Sequence, residues 1–143
     1  MDSKFHIAVY WDSSAIVSVL LNDEHGADAL MCAERRMTLH LMTSLADAEV
    51  MAVLERSLRE KPKLSDTFAA AKFSFRNGPW KFIQTNPDRN LISELASKYA
   101  LKGADLWHLS ACATLRREMP ELLMLSYDKA LISAAKTEGF LYC

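Results

Sequence analysis

The sequence predicts an α/β fold built on a mainly parallel sheet. Short apolar runs recur along the chain, segments of helical periodicity separate them, and Gly, Pro and Asn punctuate several of the joins. Residues 5–11 hold Phe, Ile, Val, Tyr and Trp, the types expected of a strand buried on both faces. Asp12-Ser13-Ser14 interrupts that run, and helical patterns follow over residues 15–21 and 24–35. Thr38-Leu39-His40-Leu41-Met42 reads as a second strand. Ser44 then offers a helix cap, with Asp47 at capping-box spacing, and the apolar set Leu45, Ala48, Met51, Ala52 and Leu58 carries the helix onward. Pro62 breaks it before a further helical stretch over residues 64–75.

Gly78-Pro79 marks a turn into a short strand at residues 80–83. Asn86-Pro87 suggests a helix start, Asn as cap and Pro in the first turn, for a helix ending near Tyr99. A longer helix is expected over residues 104–117, stopped by Pro120, then a strand at 122–125 and a helix at 128–137. Gly139 precedes an expected terminal strand, Phe140-Leu141-Tyr142. No repeat, low-complexity tail or long linker interrupts this order. Residues 1–143 are therefore expected to form one domain, long enough to bury a core without metal or disulfide staples.

The 17 Lys and Arg nearly balance the 18 Asp and Glu, for a net charge of -1, which argues against a protein that coats nucleic acid through net charge alone. A local basic groove is still compatible with it. Cys32, Cys112 and Cys143 are too widely spaced for a disulfide framework or a zinc set, and a reducing cytoplasm is expected. Cys112 falls in an apolar helical pattern and is expected to be packing. The apolar run before Asp12 is too short to span a bilayer, so no membrane segment is expected.

The acidic residues carry the chemistry. Asp12 directly follows an apolar strand, where a parallel sheet presents ligand-binding groups beyond its carboxyl edge. Asp128 repeats that placement after residues 122–125. Asp105 opens the long helix, where the helix dipole alone would explain it. Glu49 stands between Ala48 and Val50 and faces either solvent or a cleft. Each acid alone has an ordinary reading as a cap or a solvated charge. Four of them at one pocket would repel one another unless a cation neutralised them, and oxygen donors suit Mg²⁺, with Mn²⁺ a substitute.

Four blocks in order extend this pattern: Tyr10-Trp11-Asp12-Ser13-Ser14-Ala15-Ile16-Val17; Thr43-Ser44-Leu45-Ala46-Asp47-Ala48-Glu49-Val50; Leu101-Lys102-Gly103-Ala104-Asp105-Leu106-Trp107-His108-Leu109-Ser110-Ala111-Cys112-Ala113; and Leu125-Ser126-Tyr127-Asp128-Lys129-Ala130-Leu131. Together they resemble the PIN-domain nucleases, particularly the VapC-like toxins of toxin–antitoxin pairs. The resemblance implies a three-layer α/β/α sandwich, RNA cleavage, and an active site of Asp12, Glu49, Asp105 and Asp128. It departs from the usual pattern at Ser13, where similar proteins often carry Thr.

The mechanism expected from these residues is phosphodiester hydrolysis by metal-activated water. Asp12, Asp105 and Asp128 would hold Mg²⁺, and Glu49 would complete its shell or orient the water. Ser13, Ser14 and Ser126 are candidates to support the acids by hydrogen bonds, or simply to cap turns and helix starts. His108, three residues after Asp105, either backs that carboxylate on a shared helical face or packs without a catalytic role. Lys102 and Lys129 are the leading phosphate-contact candidates, while Arg116 and Arg117 lie farther along their helix. Trp80 reads as a core aromatic, with base stacking the alternative. Leu20, Leu21, Leu30 and Met31 belong to the core or to an oligomer contact.

The resemblance also implies a homodimer and a cognate antitoxin protein. Three alternatives stay open: an RNA-processing nuclease without an antitoxin, a binding module without turnover, and a phosphatase or phosphotransfer enzyme built on an acidic α/β site.

Overall fold

The computed structural model describes residues 7–140. Within them a four-stranded, wholly parallel sheet runs in the order β3-β2-β1-β4, formed by β1 (Ile7–Trp11), β2 (Thr38–Met42), β3 (Trp80–Phe82) and β4 (Leu123–Leu125). Helices α1 (Ser13–Leu21) and α2 (Gly26–Ala33) link β1 to β2, and α3 (Ser44–Glu60) and α4 (Ser65–Arg76) link β2 to β3. The return to β4 passes through α5 (Arg89–Lys98) and α6 (Gly103–Arg116), and α7 (Lys129–Thr137) follows.

Alternation along the strands divides the core in two. Val9, Trp11, Met42 and Trp80 pack with Ile16, Val50, Leu54 and Phe68 from the helices of the first half. Tyr10, Leu41 and Met124 face the other way, onto Leu95 of α5, Leu109 of α6 and Leu131 of α7. The result is the expected three-layer α/β/α sandwich. Right-handed crossovers explain the segregation: moving outward from β1 through β2 to β3 lays helices on one face, and returning to β1's other side lays them on the opposite face. Burying each large apolar side chain contributes about 1.5–3 kcal/mol, so the two half-cores hold the strands' carboxyl ends firmly at one rim.

Several boundaries differ from expectation for local reasons. Thr43, rather than Ser44, caps α3, its hydroxyl accepting from the Ala46 N–H at 3.3 Å. Pro87 lies outside α5, which Asp88 caps by accepting from the N–H groups of Asn90 and Leu91. Tertiary contacts place that cap, since Arg117 pairs with Asp88 at 2.8 Å and the Thr114 hydroxyl accepts from its N–H at 2.9 Å. Gly78 is needed because any Cβ there would collide with the Trp80 indole. Most of the expected terminal strand lies outside the described residues, and Phe140 is a buried residue beneath the Arg116 guanidinium rather than a strand member. Cys112 is buried and unbonded as expected; Cys32, however, is disulfide-bonded, which corrects the reading of the cysteines as unpaired. Cys143 lies outside the described residues. Among the described residues no helix is long and apolar enough to cross a membrane.

His40 is buried, accepts from the Trp11 indole N–H at 2.9 Å, and leaves Nε2 without a partner among the described residues. Burial, helped by the Arg35 charge, pushes its imidazole down to about 4. The unfolded chain would take a proton near pH 6.5 that the folded one refuses, so this group's contribution falls as pH drops from about 6.5 towards 4. Chemical unfolding of the wild type and of His40→Asn at pH 7 and pH 4.5 should show the wild type losing on the order of 1–2 kcal/mol more, after allowance for solvent screening. Equal losses would remove His40 as the cause.

Candidate metal centre

Strand order reverses between β1 and β4, and loops after strands on either side of such a reversal open a crevice beyond their carboxyl ends. Asp12 follows β1 and Asp128 closely follows β4. Their loops are joined directly, the Asp12 N–H donating to the Leu125 carbonyl at 2.9 Å. Helix starts converge there too: Asp12 stands at the N-cap of α1, Asp128 at that of α7, and Asp105 in the first turn of α6. Glu49 comes from the second turn of α3, which follows β2.

Asp12 is 3% exposed, and its carboxylate is divided between two tasks. Its Oδ2 accepts from the Ser14 hydroxyl at 2.6 Å and from the Ser126 hydroxyl at 2.8 Å. The same serines anchor the β4 loop, Ser14 Oγ accepting from the Tyr127 N–H and Ser126 Oγ from the Asp128 N–H. Two of the three expected supporting serines therefore hold the acid. Ser13 takes no part in that network among the described residues; it is the first residue of α1, where Asp12 holds the cap position and no side chain makes a cap hydrogen bond.

Asp12 Oδ1 lies 3.6 Å from His108 Nε2, and Glu49 Oε1 lies 2.6 Å from the same nitrogen. His108 is fully buried, with Nδ1 2.7 Å from the Tyr10 hydroxyl and the Tyr10 and Trp107 rings edge-on to it. One ligand atom from each of Asp12, Glu49 and His108 falls within 4.8 Å of the others. This tight trio differs from the expected four-acid set: His108 backs Glu49 rather than Asp105, and neither Asp105 nor Asp128 belongs to it.

Asp105 and Asp128 nevertheless share the field of the cluster. Burial pushes the Asp105 carboxyl up to about 6, and the negative charges of Asp128, Asp12 and Glu49 add to the push, with His108 opposing it. Asp128 is half-buried and uses Oδ1 to accept from the Leu131 N–H at 3.0 Å, capping α7 and leaving Oδ2 free among the described residues. Asp12, Glu49 and His108 form a group that could hold a metal ion. Oxygen donors predominate, their charges oppose one another in a partly desolvated pocket, and Asp12 Oδ1 is turned towards the cluster.

Lys102 and Lys129 are exposed at the starts of α6 and α7, beside Asp105 and Asp128 in the chain. Arg116 and Arg117 are engaged elsewhere, with the Glu138 carbonyl and with Asp88. Trp80 is buried edge-on to Trp11, which excludes the stacking alternative for it. A cleft of about 580 Å³, lined by Leu20, Leu30, Ala33 and Trp80 among others, contains none of the four acids.

No protein-family model matches the chain, and no curated protein matches it in sequence. Among solved structures, the crystal structure of PAE2754 from Pyrobaculum aerophilum resembles it with a TM-score of 0.56 at 15% identity, over 95% of this chain and 89% of that one. That likeness is one of fold.

Proposed function

We propose that this protein is a Mg²⁺-dependent endoribonuclease of the PIN type, with Mn²⁺ able to substitute. The observation that carries the reading is the cluster of Asp12, Glu49 and His108 where the strand order reverses, with Asp105 and Asp128 at the starts of the helices beside it. In this reading Asp12, Asp105 and Asp128 hold the cation and Glu49 completes its shell or orients the attacking water. A divalent cation there would offset phosphate charge and make a bound water acidic enough to act near neutral pH. Ser14 and Ser126 keep Asp12 aimed, and Lys102 and Lys129 contact the RNA backbone. The toxin role, the antitoxin and the homodimer go with the family resemblance. Exposed apolar side chains on the α2 and α4 surfaces, Met31 at 71% and Phe73 at 70%, are compatible with a protein partner.

The test is a cleavage assay on several RNAs with Mg²⁺, Mn²⁺ or EDTA. Cleavage should require the cation and leave 5′-phosphate and 3′-hydroxyl ends. RNA that is bound but stays intact at saturating cation would replace this reading with a binding module. Phosphate release from a small phosphomonoester, without RNA cleavage, would replace it with a phosphatase.

A further inference from the structure

We propose that His108 is a positioning residue: tied to Tyr10 at one ring nitrogen, it donates from the other to Glu49 and fixes that carboxylate beside Asp12 without becoming a cation ligand. The inference rests on the cation reading of the site and assigns a part that the four acids do not fill.

The hydrogen-bond inventory sets the direction. A carboxylate that holds a cation can only accept, so on the cation reading the 2.6 Å contact puts a hydrogen on His108 Nε2. In the neutral ring Nδ1 is then bare and takes the Tyr10 O–H at 2.7 Å. At 2.7 Å that contact has the length of an O–H···N hydrogen bond, and the phenol is the partner with a hydrogen to give. The relay thus runs from Tyr10 on β1, through His108 on α6, to Glu49 on α3, and links helices from the two faces of the sheet.

Distance argues against direct ligation. Two atoms bound side by side to one ion, each about 2.1 Å from it, sit roughly 3 Å apart. His108 Nε2 and Glu49 Oε1 are closer than that, at hydrogen-bond separation. Full burial of the imidazole leaves no water to compete for its N–H, and the edge-on Tyr10 and Trp107 rings hold its plane. Glu49, whose side chain is 29% exposed and has several rotatable bonds, is the member that gains most from being held. With His108 outside the coordination sphere, the cation keeps oxygen donors alone, which favours a hard ion over zinc.

Two substitutions separate the arms of the relay. In His108→Gln the amide N–H₂ stands near the position of Nε2 and can still donate to Glu49. In His108→Asn the amide oxygen stands near Nδ1 and serves Tyr10, but nothing reaches Glu49. Binding of Mn²⁺ alone to the full chain, followed by electron paramagnetic resonance without RNA, should weaken about 10–100-fold in His108→Asn and stay within about threefold of wild type in His108→Gln. Wild-type affinity in His108→Asn would overturn the relay while leaving the cation reading intact. Equal loss in both variants would also overturn it, because a retained donor should rescue. Failure of the wild type to bind Mn²⁺ would instead remove the cation reading itself, and the relay's purpose with it. Nitrogen NMR of the wild-type imidazole needs no variant: Nε2 should bear the proton and Nδ1 should be bare, with and without Mg²⁺. A bare Nε2 in either state would overturn the proposal.

Discussion

Replacing Asp12 by Asn is expected to lower RNA cleavage about a thousandfold while leaving the fold largely intact. A cation bound at a reacting phosphate stabilises the transition state by several kcal/mol, and losing about 4 kcal/mol corresponds to about a thousandfold in rate. The amide keeps one oxygen to accept from Ser14 and Ser126, which donate to Oδ2 at 2.6 and 2.8 Å in the native protein. Its N–H₂ then faces Glu49 and the cation position, where an uncharged donor cannot replace a carboxylate. The cost to stability should be within about 1 kcal/mol, since the hydroxyl contacts survive. Ser126→Ala tests the aiming separately, because it removes one of the two hydroxyls while keeping the charge. A loss of about tenfold is expected there. Metal-independent cleavage at the same rate by wild type and Asp12→Asn would defeat the mechanism.

Much of the scaffold was legible because its signals are local. The β-rich run ending at Asp12 and the Thr38–Met42 strand need no partner to be read, and β2 begins and ends where the pattern places it. Caps were harder. Thr43 and Ser44 are adjacent hydroxyl residues, and only the point at which β2 releases the chain decides between them. At α5 the Asn-Pro signal was displaced by Asp88, whose partners Thr114 and Arg117 lie 26 and 29 residues away in the chain.

The site divides in the same way. Asp12 and Asp128 stand out because each closely follows a strand, and a parallel sheet turns that local fact into a shared rim. His108 was visible only as a histidine near Asp105. Its true partners, Tyr10 and Glu49, are 98 and 59 residues distant, and neither carries a sequence mark of facing it. Tyr10 reads as one more aromatic in an apolar strand. Its hydroxyl matters because β1 buries it opposite α6, which is a property of packing.

The charge cluster leads to a second, opposed pair of effects at Asp105. Its carboxyl is pushed up to about 6 from an ordinary 3.8, by burial first and then by Asp128, Asp12 and Glu49. Between those values the folded chain holds a proton that the unfolded chain has released, so this group's contribution to stability is lost as pH rises through about 6. Above that pH the cation-free protein bears a repulsion that the unfolded chain escapes. Asp105 is only partly buried, and solvent screening reduces the penalty to on the order of 1 kcal/mol. Asp105→Asn should therefore raise the Tm of the cation-free protein by about 3–4 °C at pH 7.5 and change it little at pH 4. Added Mg²⁺ or Mn²⁺ should reverse the order. At a hundredfold excess over Kd, binding stabilises the wild type by about 2.7 kcal/mol, whereas the variant has lost a charged oxygen donor and should gain much less. Thermal unfolding at both pH values, with and without cation, reads all four states in one experiment. A variant that is no more stable than wild type without cation at pH 7.5, and gains as much when cation is added, would show that Asp105 stands apart from the cluster. The same substitution thus tests both sides of the proposed site: the carboxylates that burden the cation-free fold are the ones that would make a cation worth binding.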